Sequence, residues 1–208
     1  DKDGLNQKFL ETSEAAEDLS SKLSEWIKED CFEQTSLKKF KILSAEITNL
    51  SSQRDLILDK AINVTDTISL YSHKIIGPII DIMIEIALND PAHNSARVSA
   101  FSNFIHLKER IGRERALGAR GLVLDAFNND EFVENYRFLI SEQQGYKDTF
   151  MALATEDQKA CYENHMNGYA VLRIEEMHKL LKNNKTSEGY NISPKDWYDL
   201  ATQKIDLM

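Results

Sequence analysis

The amino-acid sequence predicts an all-α fold of stacked antiparallel helical bundles with long helices. The chain of 208 residues contains only 8 Gly and 3 Pro, so long stretches lack helix breakers. Apolar residues recur at three- and four-residue steps along most of the chain, and no strand-like alternation has a useful length. Hydrophobic residues make up 42% and charged residues 28%, a composition typical of a globular domain with a substantial core.

The first part of the chain divides into three predicted helical segments. Residues 5–28 and 36–60 each carry an apolar stripe at helical spacing, and the second stripe allows a break near Ser51. Residues 65–88 form the third segment. Pro78 is predicted to kink this segment, because proline removes one backbone hydrogen bond and crowds the preceding turn.

Four further helices are predicted in the rest of the chain. They cover residues 92–126, 131–154, 155–181 and 194 to the end of the chain. Each of the last three follows residues whose side chains commonly cap a helix: Asn129 or Asp130, Thr155, and Ser193 before Pro194.

Charge and motifs exclude several classes of protein. The formal net charge of −9 argues against a nucleic-acid partner, which requires a basic surface. The sequence contains no phosphate-binding glycine loop and no Cys/His cluster, so we expect neither an enzyme nor a cofactor nor a metal site. No apolar run approaches the roughly 18 residues that span a bilayer. For Cys31 and Cys161, two free thiols are favoured over the disulfide that an extracytoplasmic location would allow.

The most unusual stretch is HLKERIGRERALGARG, residues 106–121, which holds five cations in an acidic chain. On a helix, Lys108 and Arg115 fall within an apolar stripe, whereas Arg110 lies off it. Arg54 occupies a similar place on the stripe of an earlier helix. The other members of the stripe around Arg115 are Phe101, Phe104, Ile105, Ile111, Ala119 and Leu122.

A cation on an apolar stripe costs desolvation energy unless a negative group meets it. An internal carboxylate is one such group: Glu109 or Glu114 for Arg115, and Asp55 or Asp59 for Arg54. Lys108 has a further option, because its long stem can carry the ammonium group to the solvent. The other candidate is a small anion from outside, and planar guanidinium groups suit a planar oxyanion.

Three stretches resemble the nitrate- and nitrite-sensing (NIT) family of bacterial chemoreceptors, sensor kinases and regulators. LKERIGRERA, residues 107–116, is similar to the family signature L-x-K-E-R-A-G-x-E-R-A. ISEQQGYKDTFMALATEDQKACY, residues 140–162, resembles its next helix pair. WYDLATQKIDL, residues 197–207, resembles the segment that leads towards the second membrane helix of receptor members.

The resemblance implies two stacked bundles that bind nitrate or nitrite at core arginines. Arg115 matches the arginine of the E-R-A triplet, and Arg54 matches the arginine that ends an L-x-x-L-R helix, with Gln53 in place of the second Leu. The family's opening L-Q-x-E-R-G helix has no counterpart, since no Arg precedes Arg54. We therefore expect residues 1–208 to be a single all-helical sensor domain, excised from a longer protein and lacking the first family helix.

We predict a ligand-sensing domain, not an enzyme, that binds a small oxyanion such as nitrate or nitrite between helices. Direct donors would be Arg54 and Arg115, while Lys108 and Arg110 would add positive potential. The carboxylates that would orient the guanidinium groups are Glu109 and Glu114.

By analogy with chemoreceptors, we expect the chain to be the periplasmic part of an inner-membrane receptor and to form a homodimer. A membrane would be contacted only through helices outside this sequence, and a cytoplasmic location is the alternative. Two other functions stay open: a helical protein-interaction module with structural arginines, and a sensor of a different small organic ligand, because ligand choice is not fixed by fold.

Overall fold

All regular structure that the computed structural model describes is helical, which confirms the all-α prediction. No helix among the described residues is long and apolar enough to cross a membrane. The chain divides into two compact units, Asp1–Asn89 and Asp90–Met208. The described residues are 2–28, 32–89, 94–183 and 190–208.

The first unit is built around the contact of its first two helices with its last. Leu23, Phe40, Leu43, Ile47 and Ile82 form its main buried cluster. The predicted break near Ser51 occurs at Asn49, which separates α2 from α3. The helices are α1 (Lys2–Trp26), α2 (Gln34–Thr48), α3 (Leu50–Leu58), α4 (Val64–Ser69) and α5 (Gly77–Asn89), with a π-helical segment (Leu70–Ile76) between α4 and α5.

A π-helical segment, Leu70–Ile76, immediately precedes α5, the helix that contains Pro78. The Gly77 N–H donates to the carbonyl oxygen of Ser72, five residues back, which is the wider π-helical spacing. A Cβ added at Gly77 would lie 3.0 Å from that same oxygen. The wider turn thus precedes a proline that has no N–H to continue a regular ladder.

The described part of the second unit consists of α-helices of 10 to 29 residues. The predicted caps Asn129, Thr155 and Ser193 each accept a backbone N–H, and Thr155 with Gln158 forms a capping box. The predicted helix 155–181 is instead two helices, because the chain turns before Gly168. The helices are α6 (Ser95–Val123), α7 (Asp130–Leu153), α8 (Glu156–His165), α9 (Tyr169–Asn183) and α10 (Pro194–Asp206), with a 3-10 turn (Ala126–Asn128) after α6.

The buried face of α6 differs from the predicted apolar stripe. Phe101 is 42% exposed, whereas Gly118 and Gly121 are buried. A Cβ added at Gly118 would lie only 2.4 Å from Cε2 of Trp197, which is fully buried. The predicted stripe was right at Ile111, which is buried, and wrong at Phe101. It also omitted the glycines that let aromatic rings approach the backbone of α6. The remaining buried positions of α6 are Val98, Ala100, Leu107, Glu109 and Glu114.

Gly118→Ala should lower the free energy of unfolding by about 1–3 kcal/mol, because the methyl group must displace the Trp197 ring from a packed core. Urea unfolding measures the change. The matched control is Gly145→Ala, also within a helix, where an added Cβ meets nothing within 4 Å. That control should gain about 0.5–1 kcal/mol from helix propensity. Equal stabilisation of both variants would contradict the close packing at Gly118.

One buried carboxylate joins three helices of the second unit. Glu114 on α6 is 2% exposed and accepts hydrogen bonds from the Tyr136 hydroxyl at 3.2 Å and from Gln143 Nε2 at 2.9 Å, both on α7. It also contacts Nε2 of His178 on α9. Burial alone would raise the pKa of Glu114, but His178, Lys204 and Gln143 together lower it to about 2. The carboxylate is therefore ionised inside the core at neutral pH.

Glu114→Gln should lower the free energy of unfolding at pH 7 by on the order of 3 kcal/mol, because the pKa of Glu114 is about 2 when folded and 4.5 when free. A lowered pKa means that this stability is present above pH 4.5 and is lost as the pH falls towards 2. The difference between wild type and variant should therefore shrink between pH 5 and pH 3. Chemical unfolding at pH 7, 5, 4 and 3 measures it, and a constant difference would contradict the assignment.

Candidate anion-binding site

Arg54 is a buried cation in the first unit, with only 8% of its surface exposed. It shares the buried face of α3 with Leu50, four residues earlier. Its guanidinium carbon lies 5.0 Å from the centre of the Phe9 ring on α1. The predicted position of Arg54 on an apolar stripe therefore corresponds to real burial between α3 and α1.

Neutral oxygen atoms surround the Arg54 guanidinium group. Nη1 donates to the Phe9 carbonyl oxygen and to Ser13 Oγ, both at 3.1 Å, and Nη2 donates to Thr12 Oγ1 at 2.6 Å. Nε donates to the Tyr71 hydroxyl at 3.3 Å. No carboxylate among the described residues lies within ion-pair distance of Arg54, so the alternative of an internal pair is not seen there. Its positive charge is solvated by dipoles but not neutralised.

Two donors at this site have no acceptor within the described residues. Arg54 has five N–H groups, and four hydrogen bonds from it are formed. One N–H of Nη2 is left. The Tyr71 oxygen accepts from Arg54, which leaves its own O–H able to donate. Thr12 and Ser13 differ, because their hydroxyl groups already donate to backbone carbonyls of α1.

Arg54 and Tyr71 line a cavity of about 350 Å³ within the first unit. Thr12 and Lys8 also line it, and the remaining walls are mostly apolar. The lining contains two cations and no acidic residue, although Lys8 pairs with Glu11 at 2.7 Å. A cavity with positive charge, free donors and apolar walls is chemically suited to a small anion.

Arg115 has a comparable environment in the second unit. Nη1 donates to Thr202 Oγ1 at 3.0 Å, and the guanidinium carbon lies 4.7 Å from the centre of the Tyr198 ring, both on α10. Nε is buried without a hydrogen-bond partner. As with Arg54, no described carboxylate lies within ion-pair distance. Arg54 and Arg115 thus belong to different units, and each has its own hydroxyl and aromatic neighbours.

Arg110 is compensated in a way that Arg54 and Arg115 are not. Nη1 lies 2.7 Å from Glu109, Nε lies 3.4 Å from Glu142, and the guanidinium carbon lies 5.3 Å from the centre of the Tyr146 ring. Glu109 also accepts from Arg113 Nε at 2.6 Å. Glu109 therefore orients two guanidinium groups, neither of which is Arg54 or Arg115.

The other two predicted residues lie apart from the uncompensated arginines. Lys108 is partly exposed and forms no hydrogen bond or ion pair with any described residue. Glu114 contacts His178, Tyr136 and Gln143 rather than a guanidinium group. Its place is in the core network of the second unit.

The hydroxyl groups that accept hydrogen bonds from Arg54 were not predicted from the sequence. Phe9, Thr12 and Ser13 occupy one face of α1 at three- and four-residue spacing, and this spacing was the available signal. Tyr71 lies at helical spacing from Ile75 and Ile79, which line the same cavity, and this spacing was its signal. No group of three or more His, Cys, Asp or Glu able to hold a metal occurs among the described residues. Cys161 is a free, exposed thiol, and Cys31 lies outside the described residues.

Comparison with known proteins places these observations in a family. The family described as nitrate and nitrite sensing (NIT) matches residues 1–208. A nitrate regulatory protein of Klebsiella oxytoca is 26% identical over 164 residues, which cover 78% of this chain and 40% of that protein. The chain thus corresponds to less than half of that relative's length. No solved structure matches the chain significantly. Since the family match extends along residues 1–208, the chain belongs to the nitrate- and nitrite-sensing family.

Proposed function

We propose that this chain is a non-enzymatic sensing domain that binds nitrate or nitrite, with Arg54 as a direct donor in the first unit and Arg115 as a direct donor in the second. The observation that carries the proposal is the burial of Arg54 beside a cavity without any carboxylate in the described residues to neutralise it. Attraction to a bound anion would offset the free energy that the guanidinium group lost when it was removed from water.

The donors around the cavity suit a planar monoanion. A nitrate oxygen can accept the remaining N–H of Arg54 Nη2, and the Tyr71 O–H supplies a donor from the π-helical segment. The two flat faces of the ion, which form no in-plane hydrogen bonds, would lie against the hydrocarbon walls of the cavity. Lys8 adds positive potential from α1.

The remaining predicted residues have graded roles in the proposal. Arg115 is a second donor, because its Nε has no partner and its charge meets no carboxylate. Lys108 and Arg110 contribute positive potential, although Glu109 and Glu142 reduce the share of Arg110. Glu109 supports this arrangement by fixing Arg110, and Glu114 supports it by holding α6.

A bound anion would join three elements of the first unit. Arg54 lies on α3, its oxygen partners lie on α1, and Tyr71 lies in the π-helical segment. A ligand that contacts all three favours one packing of these helices over others, and this differential affinity is the basis of a signal.

We also propose the wider context from the family. The match along residues 1–208 supports treating the two units as one sensor domain. The chain would be the periplasmic part of a chemoreceptor-like inner-membrane protein and would act as a homodimer, with a cytoplasmic regulator as the alternative. Output would come from segments outside this sequence, since the chain covers 40% of its relative.

A second candidate function is a helical interaction module whose arginines are structural. The four hydrogen bonds of Arg54 to oxygen atoms favour it, because they hold the side chain without any ligand. The two functions differ in one measurable respect: only a sensor is stabilised by nitrate.

Nitrate should raise the melting temperature relative to chloride at equal ionic strength. Saturation at about 100 times the dissociation constant adds roughly 2.7 kcal/mol, which corresponds to several degrees for a chain of this size. Arg54→Met should reduce the shift, since it removes the charge from the first unit but keeps an apolar side chain. Arg173→Met is the matched control, because Arg173 forms an exposed pair with Glu176, and it should retain the shift. A nitrate shift of unchanged size in Arg54→Met would exclude Arg54 from the site.

Arg115→Met should weaken nitrate binding in the second unit at least about tenfold, because a charge-assisted hydrogen bond contributes roughly 1.5–3 kcal/mol. Isothermal titration calorimetry measures the dissociation constant. Arg115→Lys should recover part of the affinity, since Lys keeps the charge but not the planar fork. If Arg115→Met binds nitrate with the same stoichiometry and affinity as wild type, Arg115 has a structural role.

A further inference from the structure

The second unit contains a cavity that the nitrate proposal does not use. Its volume is about 310 Å³, and α6, α7, α9 and α10 all contribute to its lining. Pockets for small organic molecules in proteins begin at roughly 300 Å³. Neither Arg54 nor Arg115 lines this cavity.

Lys204 is the most unusual residue of the cavity lining. It is only 7% exposed and shares the buried face of α10 with Trp197 and Ala201. It forms no hydrogen bond or ion pair with any residue in the described ranges, although its charge helps to lower the pKa of Glu114. Lysine is rarely buried without a partner, because desolvation of its ammonium group is costly.

Lys204 has no hydrogen-bond acceptor among the described residues, although Glu114 lies near enough for the two charges to interact. Gln143 Nε2 donates to Glu114 at 2.9 Å, and Nε2 of His178 contacts the same carboxylate. Both residues line the cavity, but these nitrogen atoms are engaged with Glu114. Lys204 is therefore a largely buried side chain at the wall of a cavity, with its charge partly offset by Glu114. An anionic group inside the cavity would give its ammonium group a direct partner.

Charge and hydrophobicity define the class of ligand. The lining contains three lysines, Lys147, Lys179 and Lys204, against one carboxylate, Glu175. Most of the other lining side chains are apolar: Leu107, Ile111, Ile140, Tyr162, Met166 and Val171. An inorganic oxyanion leaves such walls without contact, whereas a carboxylate with a hydrocarbon body satisfies both the cations and the walls.

We propose that this cavity is a second ligand site, which binds a small organic carboxylate through Lys204. The carboxylate group pairs with the Lys204 ammonium group, and the hydrocarbon body lies against Ile111, Ile140 and Val171. Lys147 and Lys179 are more exposed and attract the anion to the cavity. The site is separate from the nitrate proposal and does not depend on it.

The test uses butyrate and succinate as probes, a monoanion and a dianion of equal chain length, with 1-butanol and chloride as controls. Thermal unfolding and calorimetry of the whole chain should show binding of at least one carboxylate and none of 1-butanol. Lys204→Met should weaken that binding at least about tenfold, because it removes a charge-assisted contact. Lys195→Met is the control, since Lys195 lies exposed on the same helix and pairs with Asp199.

A second variant covers the case in which Lys204→Met does not fold. Ile140→Phe adds volume at the cavity wall and should block the probes while leaving the chain folded. The proposal is overturned if neither carboxylate binds more tightly than chloride, or if folded Lys204→Met or Ile140→Phe binds as wild type does. Retention of full carboxylate binding in Arg54→Met, where the nitrate response is reduced, separates the two sites.

Discussion

Ionised groups inside a helical core are the constraint on which both units of this protein depend. A buried charge is stable only when dipoles or an opposite charge replace the water it has lost. In the second unit, Glu114 has such replacements from the protein itself, since His178, Tyr136 and Gln143 all contact it. In the first unit, Arg54 has only hydroxyl and carbonyl dipoles. The difference separates a charge that stabilises the fold from one that is available to a ligand.

The two solutions also differ in what a ligand could change. In the Glu114 network, side chains of α7 and α9 contact both oxygen atoms of one carboxylate on α6, so the network holds these helices in one arrangement. Arg54 and Tyr71 retain unused donors at a cavity wall. An element with incomplete hydrogen bonding has more than one way to complete it, and this property suits a sensor.

The all-α class, the caps and most helix bounds could be predicted from sequence, because local rules determine them. Thr155 and Ser193 cap helices through neighbours only three residues away. The position of Arg54 could also be predicted, since helical periodicity places it on the face of Leu50. The buried face of α6 could not, because Gly118 carries no side chain and reveals its role only against Trp197, far along the chain. The burial of Lys204 could not be predicted for a related reason, because it depends on neighbours from other helices.

The π-helical segment adds a mechanical consequence to the chemistry. A π-helical turn holds one extra residue compared with an α-helical one, so its loss or migration rotates the adjoining residues by about 100°. Leu70–Ile76 is such a segment, and the proline at position 78 restrains it on one side. A change in this segment would therefore rotate Tyr71 about the helix axis. An anion that accepted a hydrogen bond from the Tyr71 hydroxyl group would favour one rotational position of this side chain over the others.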